Sequence, residues 1–119
     1  MMELKIIEVN RSKEGNEYIL LQSEKVCNLH DFLIHDQTYD ADGNTSNLQP
    51  HMYRFLSKLI GAGEYVALFT QGEHNKYRET SYKKSICHII CWGLDHDIWN
   101  DCVDRATLLK IAGEHKKRV

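Results

Sequence analysis

The sequence predicts an all-β fold, a two-sheet β-sandwich, and three observations carry that expectation. The apolar segments are short, rich in Ile, Leu, Val, Tyr and Phe, and separated by polar, turn-like clusters, which is the pattern of an all-β chain. No long stretch carries a helical period, so folds that need βαβ units are disfavoured. The two tryptophans, Trp92 and Trp99, flank the polar step Gly93-Leu94-Asp95-His96-Asp97. A Trp pair around a turn marks a fixed corner of a β core, because each indole buries a large apolar area and needs a partner for its N–H.

The elements follow in chain order. Residues 4–9 read as a first strand, followed by a polar turn over 11–16. Residues 17–22 read as a second strand, with Ile19 and Leu21 on one side and Tyr18 and Leu20 on the other. A strand that is apolar on both faces is expected to be buried on both. A third strand is expected over 29–35, then a long polar loop over 36–50. Residues 51–55 read as a short strand and 56–60 as a helical turn, ended by Gly61-Ala62-Gly63. Residues 64–70 form the clearest strand, with Val66 and Leu68 against Tyr65, Ala67 and Phe69. A second polar loop is expected over 72–84, a strand over 85–92 and a last strand over 105–111. Seven or so short strands joined by turns fit a sandwich.

The bulk numbers bound the rest. A chain of 119 residues is one domain, and 42% hydrophobic residues suffice for a sizeable core. Residues 1–113 are assigned to the sandwich and 114–119 to a charged tail. The 27% of charged residues argues against disorder, and the net charge of −2 gives no global pull toward nucleic acid or an anionic membrane. No apolar run approaches the ~20 residues of a membrane span. The N-terminal segment carries acids around its short apolar run and does not read as a signal peptide, which implies a cytoplasmic location and reduced thiols for Cys27, Cys87, Cys91 and Cys102.

Five stretches carry a family likeness. They are residues 4–10; Gly15-Asn16-Glu17-Tyr18-Ile19-Leu20-Leu21; Asn28-Leu29-His30-Asp31-Phe32-Leu33-Ile34-His35-Asp36; and Tyr53-Arg54-Phe55 with Gly61-Ala62-Gly63-Glu64-Tyr65-Val66-Ala67-Leu68. The fifth joins Trp92-Gly93-Leu94, Ile98-Trp99-Asn100 and Asp104-Arg105-Ala106-Thr107-Leu108-Leu109. In this order they resemble the lamin tail domain, an immunoglobulin-like module that ends nuclear lamins and also occurs in many bacterial proteins. On that resemblance Gly63, Tyr65, Trp92, Gly93, Trp99, Asn100 and Asp104 match the family's structural fingerprint, and the fold is the Ig-like two-sheet sandwich. The family's Gly before the last Asp is replaced here by Val103, a poor residue for positive φ, so the closing turn is expected to differ in shape. Between Trp92 and that turn, Ile98 and Trp99 are expected to face opposite ways, one into the core and one onto the corner.

Candidate chemistry is sparse. Asp40-Ala41-Asp42-Gly43-Asn44 suggests a calcium loop. With Gly43 at the sixth position of an EF-hand, however, the first position is Thr38 and the twelfth Gln49, where calcium needs an acid and a bidentate Glu. A solvated turn is the simpler reading. Cys27 with His30, and Cys87-His88 with Cys91, have soft-ligand types. On a strand Cys87 and Cys91 share one face and His88 takes the other, so the three do not readily serve one zinc, and buried thiols acting as small hydrophobes are expected. The seven histidines sit in no hydrolase motif. No cofactor, metal or catalytic residue is therefore assigned. Lys76, Tyr77, Arg78, Tyr82, Lys83 and Lys84 interleave base and aromatic, a mix suited to single-stranded nucleic acid as well as to a solvated loop. The expected function is a non-enzymatic protein-binding module, acting through an exposed strand edge or the loops at 36–50 and 72–84, with self-association by the same route. The alternatives are nucleic-acid binding through 76–84 and a metal-binding domain or hydrolase.

Overall fold

The structure, a computed structural model, describes residues 2–11, 15–37, 51–99 and 105–117. It is an all-β sandwich. One sheet has five strands: β1 (Leu4–Asn10), β2 (Tyr18–Ser23), β7 (Tyr65–Gln71), β9 (Ser85–Leu94) and β8 (Tyr77–Tyr82), in that spatial order. The other has three: β10 (Arg105–Lys110), β4 (Phe32–Gln37) and β5 (Met52–Arg54). A two-stranded ladder of β3 (Cys27–Asn28) and β6 (Leu59–Ile60) joins the two. The only helical turn among the described residues is a 3₁₀ turn at Leu29–Asp31. No helix of the described residues is long and apolar enough to cross a membrane.

The core lies between the sheets. Leu4, Ile19, Leu21, Val66, Leu68, Ile90 and Trp92 face inward from the larger sheet, and Phe32, Ile34 and Tyr53 face them from the smaller. Alternation along each strand produces this facing set, since every second side chain of a strand shares a face. Among the described residues all pairings are antiparallel except β7 with β9, which is parallel in the register Tyr65↔Cys87 to Phe69↔Cys91. The chain leaves β7, crosses past β9, returns as β8 on the sheet edge and turns back through Lys83 and Lys84 into β9.

Four local expectations change. The polar segment 72–84 is not all loop, because residues 77–82 form β8, paired without a slip to β9 from Tyr77↔Ile90 to Tyr82↔Ser85. Its polar composition hid a strand whose side chains 78–81 are exposed. The expected helical turn at 56–60 does not form: Leu59–Ile60 is β6 and residues 56–58 are irregular, with a bend at Ser57. Leu29 N–H donates to Lys58 O at 2.9 Å, and Asn28 Oδ1 accepts from Lys58 N–H at 3.2 Å, which clamps this segment against 27–29. The same Asn28 oxygen accepts from His30 N–H at 2.9 Å and caps the 3₁₀ turn, so the third strand starts only at Phe32. Ile98 and Trp99 are both buried, rather than one in and one out. Consecutive N–H groups of a strand point to opposite sides, whereas here both donate to one carboxylate, that of Glu17. The segment is therefore turned, not extended.

Candidate interaction surface

The larger sheet has a second, outer face turned away from its smaller partner. A water-facing sheet face normally alternates to polar residues. This one does not. Leu20, Ala67 and Cys87 are buried on it, ringed by half-buried Tyr18, Tyr65, Phe69, Tyr82 and Ile89. Tyr18 lies 4.9 Å from Phe69 in a tilted pair, and Tyr65 lies 4.9 Å from Tyr82 edge to face. The two-sided apolarity of β2 and β7 seen in the sequence is thus real, and among the described residues one side is packed by neighbouring aromatic rings and Ile89.

Toward the β8 edge this face becomes cationic. Lys76 and Arg78 line a depression of about 530 Å³ with Phe69, Ile89 and Cys91 at its apolar wall. Lys83 Nζ sits 5.4 Å from the centroid of the Tyr82 ring, within cation–π range. Lys83 and Lys84 form the two-residue hairpin turn, both at positive φ (49° and 64°). Of the six residues with a nucleic-acid pattern, Lys76, Arg78 and Tyr82 therefore share the outer face, with Lys83 against Tyr82. Tyr77 does not join them. It points inward, 2.7 Å from His88 Nδ1, and donates to Glu79 at 3.2 Å.

That inward contact belongs to a polar chain on the opposite face. Buried His88 donates from Nε2 to Glu64 at 2.7 Å, and Glu64 also accepts from Gly61 N–H at 3.0 Å. These bonds, the one from His88 foremost, hold the Glu64 carboxyl below its ordinary value. Burial, with the hydrogen bond to Glu79 second, pushes the Tyr77 phenol up to about 12. A phenol so raised stays protonated near neutrality and is a donor rather than a nucleophile. Lys58 Nζ stands 5.0 Å over the Tyr77 ring.

Four of the residues singled out for the resemblance are described at core or turn positions, and Tyr65 on the outer face. Trp92 is buried against Tyr53 (5.6 Å) and Trp99 (6.4 Å). Gly93, at φ 98°, lets the chain pass His74; a Cβ there would lie 2.7 Å from the His74 Cα. Gly63 turns into β7 at φ 81°, and Tyr65 lies on the outer face. Asn100, Val103 and Asp104 fall outside the described residues, as do Cys102 and the Asp40–Asn44 loop considered for calcium.

Glu17 has a role that its sequence context does not signal. Its carboxylate, 2% exposed, accepts from Thr70 Oγ1 (2.7 Å), Ile98 N–H (2.6 Å) and Trp99 N–H (3.2 Å). Arg11 donates to Trp99 O at 3.0 Å, and Asp97 accepts from Gly15 N–H and Gln71 Nε2, both at 2.9 Å. Nothing in a lone Glu at a strand start signals this role. Cys27 and Cys87 are buried free thiols, both pushed up by burial, on different clusters of the fold. Among the described residues no three His, Cys, Asp or Glu side chains converge as a metal would need. No family model matches the chain, and no match emerges among curated proteins or solved structures.

Proposed function

We propose that this domain is a non-catalytic protein-binding module whose working surface is the outer face of the five-stranded sheet. One observation carries the reading: an aromatic and aliphatic patch, Tyr18, Tyr65, Phe69, Tyr82 and Ile89, occupies the face where a solvated sheet would place polar side chains. Tyr and Phe beside Arg78 have the composition of protein-binding hot spots, in which rigid rings bury area at small entropic cost. The resemblance to the lamin tail family, an interaction platform, supports the same function.

A second reading rests on the cations. Lys76 and Arg78 beside Phe69, and Lys83 against Tyr82, offer stacking rings with flanking positive charge, which suits a single-stranded nucleic acid.

The two readings separate by experiment. Affinity capture with the intact domain should recover a protein that is lost with Tyr18→Ser/Tyr82→Ser and retained with Met52→Ser on the smaller sheet. Anisotropy titration with a labelled oligothymidylate should show no binding that weakens steeply with salt and depends on Lys76 and Arg78. Salt-sensitive oligonucleotide binding lost in Lys76→Ala/Arg78→Ala would instead establish the second reading. Capture indifferent to the Tyr substitutions would sink the first.

A further inference from the structure

Every open sheet has edges whose unpaired N–H and C=O groups invite another strand, and natural proteins blunt them with bulges, short strands, Lys, Pro or covering contacts. Among the described residues, three of the four edges of the two larger sheets are blunted. β1 slips register between Ile6 and Glu8, which breaks its edge. β5 is only three residues long. β10 lies against the start of β1, tied there by the ion pair of Lys110 with Glu3 at 2.7 Å.

β8 lacks these devices; its charged residues are Arg78 and Glu79. It runs six residues, Tyr77-Arg78-Glu79-Thr80-Ser81-Tyr82, with no slip, no Pro and no Lys, and residues 78–81 are exposed. Lys76 O accepts from Cys91 N–H at 3.1 Å, so the even-numbered residues turn their main-chain groups toward β9. By the alternation of an antiparallel ladder, Tyr77, Glu79 and Ser81 turn theirs to the open side.

We propose that β8 pairs antiparallel with β8 of a second copy of this chain, about a two-fold axis through Thr80. This goes beyond the outer-face reading and stands on the edge, not on the aromatic patch. An axis normal to the sheet keeps both outer faces on one side and must pass through a residue, because directly opposed residues share a face. Centring on Glu79 sets two carboxylates opposite each other, and centring on Arg78 sets two guanidiniums so; both are unfavourable. Centring on Thr80 is self-complementary. Thr80 meets Thr80 of the other copy, Glu79 meets Ser81 and can accept its hydroxyl proton, and Arg78 meets the Tyr82 ring. Glu79 and Ser81 then form the narrow pairs that exchange main-chain hydrogen bonds, using the groups left open on this edge. The two large sheets become one continuous sheet, and their outer faces one bivalent platform.

The test is sedimentation of the full chain up to about 100 μM, a range in which weak strand-edge dimers populate by mass action. Wild type should sediment as a concentration-dependent dimer. Ser81→Pro removes only an outward N–H, and Thr80→Lys opposes two cations at an exposed position; each should weaken the dimer at least about tenfold while circular dichroism stays native. Opposed Cα atoms at a wide pair lie about 4.5 Å apart, so Thr80→Cys should oxidise to a covalent dimer, whereas Glu79→Cys, facing Ser81, should not. A wild type that is monomeric throughout this range overturns the proposal. So does a dimer unchanged by both Ser81→Pro and Thr80→Lys, or one that Glu79→Cys cross-links as readily as Thr80→Cys.

Discussion

At the scale of single residues, Glu17 decides more of this fold than any other charged group described. It directly precedes β2, and its carboxylate is turned inward to receive a threonine hydroxyl and two successive backbone N–H groups. Those bonds seat Ile98 and Trp99 in the core. Replacing a buried acceptor strands its donors, and the cost is their desolvation rather than the modest net value of a hydrogen bond. Glu17→Ala should therefore lower unfolding stability by about 3 kcal/mol, read from denaturant midpoints, and should increase the solvent exposure of Trp99 seen in fluorescence. A loss below about 1 kcal/mol would show that the Trp99 segment is held by packing alone. Trp92 and Trp99 were legible as core corners because large aromatics around a turn have few other places to go. Glu17 was not, since its burial depends on donors 53 and 81 positions away in the chain.

At the scale of elements, the β8–β9 hairpin is the instructive case. Tight two-residue hairpins favour Asn-Gly or Asp-Gly because both central residues need positive φ. Here Lys83 and Lys84 adopt those angles. Each bears a side-chain clash that glycine or asparagine largely avoids, of roughly 1 kcal/mol. The segment consequently gave no turn signal, and its strand, lacking apolar alternation, gave no strand signal. Lys83→Asn/Lys84→Gly should stabilise the domain by about 1 kcal/mol, measured by chemical denaturation, with no change in fold by circular dichroism. An unchanged or lowered midpoint would mean that the lysines contribute contacts, such as that of Lys83 with Tyr82, that outweigh the backbone strain.

At the scale of the whole molecule, several carboxyls sit below their ordinary values because cations or donors hold their charged form. Glu64 is held by His88 and Gly61, Glu3 by Lys110, and Glu114, near 2, by Arg54 and Lys116. A carboxyl whose folded pKa is lowered contributes stability above its unfolded value, 4.5 for Glu, and loses it as pH falls through the folded value. Stability should thus decline between about pH 5 and pH 2, followed by denaturant midpoints at fixed ionic strength. Glu64→Gln should flatten part of that decline, because it removes the proton uptake while keeping an oxygen acceptor for Gly61. A pH profile identical in the variant would show that the Glu64–His88 bond contributes nothing to acid stability.

The all-β class and the positions of most strands follow from local pattern. Residues 4–9, 17–22, 64–70, 85–92 and 105–111 each correspond to an observed strand within a residue or two, because alternation and β-branched or aromatic content act over a few neighbours. The two-sided burial of β2 and β7 was likewise readable from unbroken apolar runs. Tertiary structure alone decided which strands are neighbours, including the parallel β7–β9 pair, and which face of a two-sided strand looks outward. It also decided that a polar segment becomes an edge strand and that a glutamate becomes an anchor. These outcomes depend on partners distant in the chain, whose positions are set by the free energy of the assembled sandwich, so no window of neighbouring residues contains them.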